Sequence, residues 1–336
     1  MREITVATVQ MRPELGNAEN NLVRMSDFVS KIASQQKIDL IVFPELITCG
    51  YELGVRFTEV AQRVPGPAIN LMAQRAADAG VFIAFGLATK EKVESVLYNS
   101  AVMVGPDGEL LGLYNKVHLR GEERMAFREG YRVPIIETHE IGKVGLMLGW
   151  DLAFPEVARC MTLEGAELLC VLGNWESAYM DEWKTYVRAR AYENALFVAA
   201  ANRVGEDVTM SFGGESMIVG PRGRVYASLE TELPAPKKDA GTDSKTKPAP
   251  GGDETPEAGA AASKPAAAGE SKKESGVAEA KSPAKTESKA EPRKPVAVEG
   301  YCVARIDLDE VRRYREEFQT LQLRQPTVYR PIVKRY

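Results

Sequence analysis

The chain has 336 residues, enough for one large domain or two ordinary ones, and 44% of them are apolar, ample for a packed core. A formal net charge of −4 leaves no basic footprint for nucleic acid. Two histidines and four scattered cysteines (Cys49, Cys160, Cys170 and Cys302) argue against a zinc or disulfide framework. Cys160 and Cys170 read as small buried hydrophobes. The first ten residues alternate like a strand and lack the apolar h-region of a secretory leader. No apolar run is long enough to span a bilayer, so the expectation is a soluble, cytoplasmic protein without membrane contact.

Strand and helix patterns alternate along the chain. Residues 4–9 read as a strand, and 20–33 as an amphipathic helix with Leu22, Met25, Phe28, Val29 and Ile32 on one face. A buried strand is expected at 39–43, a helix at 69–79 and a strand at 81–88. Strands at 99–104 and 110–114 flank a Gly-Pro-Asp-Gly turn and form a hairpin. Next come a strand at 144–148, a helix at 157–164, a strand at 168–172, a helix at 182–193 and a strand at 196–201. A second hairpin pairs 216–219 with 224–228.

Composition changes at Pro234. From 234 to 296 the chain is Ala, Lys, Glu, Pro, Ser, Gly and Thr, with no aromatic residue and almost no large aliphatic one. Such a segment buries too little apolar surface to offset the entropy of ordering, so it is expected to be a disordered insertion. It reads either as an idle linker or as a tether for an unknown partner. Folded character returns at 296–298 and 301–307, which read as a strand, and a charged helix starts at 307–310. The expected domain is therefore 1–233 plus 297–336, interrupted between two strands. The pattern gives an α/β class with helices over sheet faces, without separating a doubly wound sheet from a two-sheet sandwich.

Three segments place polar residues at or just past the end of an apolar strand. Glu45 closes Ile-Val-Phe-Pro-Glu, either as a general base or as an exposed strand end. Lys116 lies in Tyr-Asn-Lys-Val-His-Leu, either as an oxyanion stabiliser or as an ordinary solvated lysine. Gly149 ends the strand 144–148 and precedes Trp-Asp-Leu-Ala-Phe-Pro-Glu; a glycine there suits a tight turn but supplies no attacking atom. Trp150 and Trp175 read as an aromatic wall or as core packing. No phosphate-binding glycine loop is present, and no cofactor is indicated.

These motifs, in this order, resemble the nitrilase superfamily of carbon–nitrogen hydrolases. The resemblance extends through Gly173-Asn174-Trp175, residues 188–194, 201–205 and 212–217, and the tail 323–329. It implies an α-β-β-α sandwich, paired as a homodimer or higher homo-oligomer. Its implied substrates are small amides or carbamoyl amines. It also implies Glu45 as base, Lys116 as oxyanion holder together with the Trp150 N–H, and Glu123 as a second acid, with Glu122 competing one position away. His118 is expected to be structural and Asp151 to point elsewhere. The family's cysteine position holds Gly149. Four readings follow. The protein is a catalytically impaired binder of a small amide, carboxylate or amine; a hydrolase using water or another nucleophile; a chain whose glycine was introduced deliberately to trap substrate; or a dimeric platform for the insertion.

Overall fold

The computed structural model describes residues 1–91, 96–229 and 298–333, all within one unit of the chain. The expected disorder of 234–296 and the strand residues 296–297 lie outside the described residues.

The first half runs β1 (Glu3–Gln10), α1 (Ala18–Gln35), β2 (Leu40–Val42), α2 (Phe57–Val60), α3 (Pro67–Ala79), β3 (Phe82–Lys90), β4 (Leu97–Val104) and β5 (Leu110–Asn115). The second runs α4 (Glu123–Ala126), β6 (Ile135–Glu137), β7 (Lys143–Leu148), α5 (Pro155–Leu163), β8 (Leu168–Gly173), α6 (Met180–Asn194), β9 (Phe197–Asn202), β10 (Val204–Glu206), β11 (Ser211–Gly213), β12 (Met217–Val219) and β13 (Val225–Ser228). Beyond the insertion come β14 (Gly300–Asp307) and α7 (Asp309–Phe318).

Alternation along β1 sets the layering. Ile4 and Val6 enter one core, and Ala7 and Val9 enter another. The second core lies between the sheet and two helices, with Met25, Val29 and Ile32 of α1 and Ile69, Met72 and Ala76 of α3. The first core joins the two sheets: Val42, Ala84 and Met103 share it with Leu146, Val171 and Val198. It also takes in Val157 and Met161 of α5 and Val187 and Ala191 of α6. The result is a helix–sheet–sheet–helix sandwich, as the resemblance implied. Pro67 and Pro155 stand at the starts of α3 and α5, where a missing N–H leaves no bond unmade.

The two sheets are wired alike. One has the order β14-β1-β2-β3-β4-β5, the other β13-β12-β9-β8-β7-β6. In each, three neighbouring parallel strands (β1, β2, β3 and β7, β8, β9) continue into two antiparallel ones, with a further antiparallel strand at the far edge. The insertion joins β13 to β14, which are edge strands of different sheets.

Two expectations need correction. Cys160 is exposed rather than buried, because α5 turns Val157, Ala158, Met161 and Thr162 inward and leaves position 160 on the opposite face. The last helix begins at Asp309 instead of 307, since Asp307 is still paired to Glu3 in β14.

Candidate active site

The carboxyl ends of β2, β7 and β8 converge, the position where open α/β sheets place their ligands. Past β2 the chain hugs β3: Gly86 N–H donates to Pro44 O (3.1 Å), and Ile47 N–H donates to Gly86 O (3.1 Å). A Cβ on Gly86 would lie 2.6 Å from both Glu45 Cα and Leu46 N, so only glycine permits this approach. Leu46 takes a positive φ of 45°. Glu45 is thereby buried at 1% exposure, which removes the reading of an exposed strand end.

Lys116 follows β5 and is 2% exposed, not a solvated lysine. Its ammonium donates to Glu45 Oε1 (2.7 Å) and to both oxygens of Glu123 (2.7 and 2.9 Å). The β4–β5 register sets Ser100 opposite Asn115, so Asn99 falls beside Lys116, and its carbonyl accepts Lys116 N–H at 2.9 Å. Asn99 Nδ2 then bridges the two acids, 2.6 Å to Glu45 and 3.0 Å to Glu123. Glu123 also accepts Arg120 N–H (2.9 Å), whereas Glu122 is exposed; of the two competing glutamates, Glu123 meets the lysine.

One ammonium thus sits between two carboxyls out of water. Burial pushes Glu45 up to about 7, against the pull of Lys116 and with a further push from Glu123. Burial opposes the Lys116 charge, but Glu123 and Glu45 outweigh it and hold the ammonium protonated well above its usual range. Near neutrality the cluster therefore hovers between zero and one net negative charge. It combines a fixed cation with a carboxyl that can take or give a proton.

Gly149 ends β7 with a φ of +37°. A Cβ built there would overlap Glu45 Oε2 and lie 3.1 Å from Glu45 Cδ. The Glu45 carboxylate therefore fills the space a side chain at 149 would enter. A small cavity of about 20 Å³ remains, lined by Glu45, Lys116, Gly149, Trp150, Asn174 and Trp175. Tyr51, Arg120, Glu176 and Met210 complete it. None of the four cysteines lines it. Tyr51 is held far from ionisation by burial and by Glu123, so its phenol is no substitute nucleophile.

Trp150 and Trp175 stack at 5.8 Å between centroids, and Trp175 Nε1 donates to Tyr179 O (2.9 Å). They serve both as cavity wall and as packing. Arg120 lies 4.7 Å over the Trp150 ring and pairs with Glu176 at 3.1 Å. Asp151 turns away from the cavity: it accepts Tyr114 O–H (2.6 Å) and His118 N–H (2.8 Å), with His118 Nδ1 at 2.9 Å. His118 stacks on Phe154 at 3.6 Å. This group ties the lysine loop to the turn after Gly149.

Two loops are latched above the site. The side chains of Arg203 and Asp207, both fully buried, form a two-point ion pair at 2.7 and 2.9 Å. Asp207 also accepts Tyr51 N–H (2.8 Å), while Glu52 accepts the N–H groups of Thr209 (2.8 Å) and Met210 (2.9 Å). Among the described residues no group of three or more His, Cys, Asp or Glu side chains could hold a metal ion, and no helix is long and apolar enough to cross a membrane.

Sequence reasoning missed Asn99, Asn174, Tyr51 and Arg120 as site residues. Asn99 carried a usable signal, a polar residue at the start of a strand whose hairpin register sets it against Lys116. The others enter from loops whose positions no local pattern sets.

The two-sheet α/β sandwich thus carries a buried Glu–Lys–Glu cluster at its strand ends. The sequence profile of the carbon-nitrogen hydrolase family matches residues 5–233, and the chain belongs to that family, within the nitrilase superfamily. A probable nitrilase of Schizosaccharomyces pombe is 45% identical over 230 residues, 68% of this chain and 84% of the relative. A carbon-nitrogen hydrolase from Helicobacter pylori has a similar fold, with a TM-score of 0.72 at 21% identity over 99% of both chains. So has a variant of the amidase from Nesterenkonia sp. AN1, which carries the acetamide moiety of fluoroacetamide covalently at its active site cysteine. Its TM-score is 0.69 at 21% identity, over 98% of this chain and 96% of that one.

Proposed function

We propose that this protein binds a small amide, carboxylate or amine at the Glu45–Lys116–Glu123 cluster and hydrolyses C–N bonds weakly or not at all. The observation that carries this reading is the Gly149–Glu45 contact: the place for an attacking side chain is filled by a carboxylate oxygen, and no thiol lines the cavity. In the Nesterenkonia amidase the covalent adduct is on a cysteine. Losing the nucleophile of a serine protease costs on the order of 10⁶ in kcat, about 8 kcal/mol of barrier. Binding and oxyanion donors alone leave roughly 10³–10⁴ over water. The test is ammonia release from acetamide and propionamide, with intact-mass analysis after fluoroacetamide. Neither ammonia nor adduct is expected. Turnover at the rates of a competent amidase overturns the reading.

One observation favours a second reading, slow hydrolysis by water. A cavity of about 20 Å³ exceeds the roughly 10–15 Å³ that a single water needs, and Glu45, raised to about 7, is suited to accept its proton. Slow ammonia release abolished by Glu45→Gln supports it; release that survives that substitution removes it. The homodimer implied by the resemblance is supported by the exposed Leu323, Val328, Ile332 and Val333 of the C-terminal segment. A monomeric sedimentation coefficient at micromolar concentration would rule it out.

A further inference from the structure

We infer that Asn174 determines specificity, selecting a neutral carboxamide over a carboxylate or an amine. The inference rests on the binding reading above. Asn174 lines the cavity shared by Glu45, Lys116 and Gly149, and both Oδ1 and Nδ2 of its side chain are buried without a hydrogen-bond partner. Buried polar groups are almost always paired, because leaving one unpaired forfeits its hydration. Here the donor and the acceptor of one side chain are orphaned together, on the wall of the site. Exchanging the two atoms by a flip of the amide changes nothing, since neither is bonded.

The side chain is held on a fixed backbone. Gly173 O accepts Arg203 N–H (3.3 Å), and Trp175 N–H donates to Asn202 Oδ1 (2.7 Å). Asn202 Nδ2 returns a bond to Trp175 O (3.3 Å) and another to Gly214 O (2.8 Å). The residues on either side of Asn174 are thus pinned, and a ligand need not order them.

A paired donor and acceptor at fixed spacing is matched by a group offering one of each. A carboxamide does so: its C=O accepts from Nδ2 and its N–H donates to Oδ1. A carboxylate has acceptors only and leaves Oδ1 facing lone pairs. An ammonium has donors only and leaves Nδ2 unpaired.

Charge acts in the same direction. The cations at the cavity are Lys116 and Arg120, and the acids are Glu45, Glu123 and Glu176. With Glu45 protonated these cancel, and with it ionised the site is negative, so no surplus of positive charge draws in an anion. A neighbouring cavity of about 210 Å³ shares Tyr51, Arg120, Glu176 and Met210 with the site, and can take a short tail.

The experiment is ligand-observed NMR titration of the full chain with propionamide, propionate and propylamine near pH 7.5. The native protein is expected to bind propionamide at least about tenfold more tightly than the other two, the factor equivalent to about 1.4 kcal/mol. Asn174→Leu should weaken propionamide about tenfold and leave propionate unchanged. Its thermal midpoint should hold or rise, because an unpaired polar group is removed. Asn174→Asp, which keeps the shape but lacks the donor, should weaken propionamide as well, and it decides the matter alone if the leucine variant does not fold. Equal binding of propionate or propylamine by the native protein, retained selectivity in the variants, or no binding of propionamide overturns the inference. If propionamide is consumed in the tube, the non-hydrolysing reading fails instead. The role of Asn174 is then decided by the same ratios, taken as KM for propionamide against the inhibition constants of the other two.

Discussion

Glu45 and Gly149 compete for one space: a Cβ on Gly149 would overlap Glu45 Oε2 and lie 3.2 Å from Oε1. The oxygen at risk ends a side chain, so it can swing aside, although Lys116 and Asn99 restrain Oε1. Gly149→Cys is therefore expected to fold with a loss of about 1–2 kcal/mol from the positive φ, with Gly149→Ala as the control for that loss. It should gain a fluoroacetamide adduct and measurable ammonia release from acetamide, read by intact mass and a coupled assay. A folded, unreactive cysteine variant would show that the rest of the machinery is not intact.

Removing the ammonium leaves two carboxyls facing each other out of water. Lys116→Met should cost about 3–5 kcal/mol in urea unfolding, the range for breaking a buried ion pair. Glu45→Gln keeps the hydrogen bonds in neutral form and should cost much less. Equal losses in the two variants would contradict the charge account.

The pH dependence follows from Glu45, whose carboxyl is raised from the usual 4.5 to about 7 in the fold. Between those values the folded protein holds a proton that the unfolded chain has released. Stability from this group is thus greatest below about pH 4.5 and declines as pH rises to 7, with a slope of at most about 1.4 kcal/mol per pH unit. Lys116 is protonated in both states over this window and adds no slope. The difference in urea midpoint between native protein and Glu45→Gln, followed from pH 5 to 8, should shift in favour of the glutamine variant as pH rises. A difference that does not change with pH would refute the assignment.

The latch above the site is testable by exchange. Asp207 holds Arg203 and the Tyr51 N–H, and Glu52 holds Thr209 and Met210. Asp207→Asn should cost about 3–5 kcal/mol. It should also speed amide hydrogen exchange at both 50–53 and 206–212, whereas exchange confined to one loop would mean the two are not coupled.

Thiol reactivity separates the cysteines. Burial pushes Cys49 up to about 12 and Cys302 to about 11, and raises Cys170 as well, while Cys160 is exposed. A disulfide reagent at pH 8 should label one thiol in the folded protein, lost in Cys160→Ser, and four after unfolding. Rapid labelling of a second site would show that one of the three buried thiols is accessible.

Much of this protein is written locally. Apolar alternation in β1 and the 3.6-residue stripe of α1 fixed those elements, because each depends on side chains a few positions apart. The ordered motifs around Glu45, Lys116 and Gly149 pointed to the family and the acid–lysine chemistry. What depends on distant contacts was not legible. Cys160 and Cys170 look alike in sequence and differ in burial because one helix face is turned outward. Glu123 prevails over Glu122 only once a helical turn directs its carboxylate to Lys116. The occupation of the Gly149 space by Glu45, and the orphaned amide of Asn174, arise where strand ends from two sheets meet. No neighbour relation along the chain encodes that meeting; the packing of one sheet on the other does.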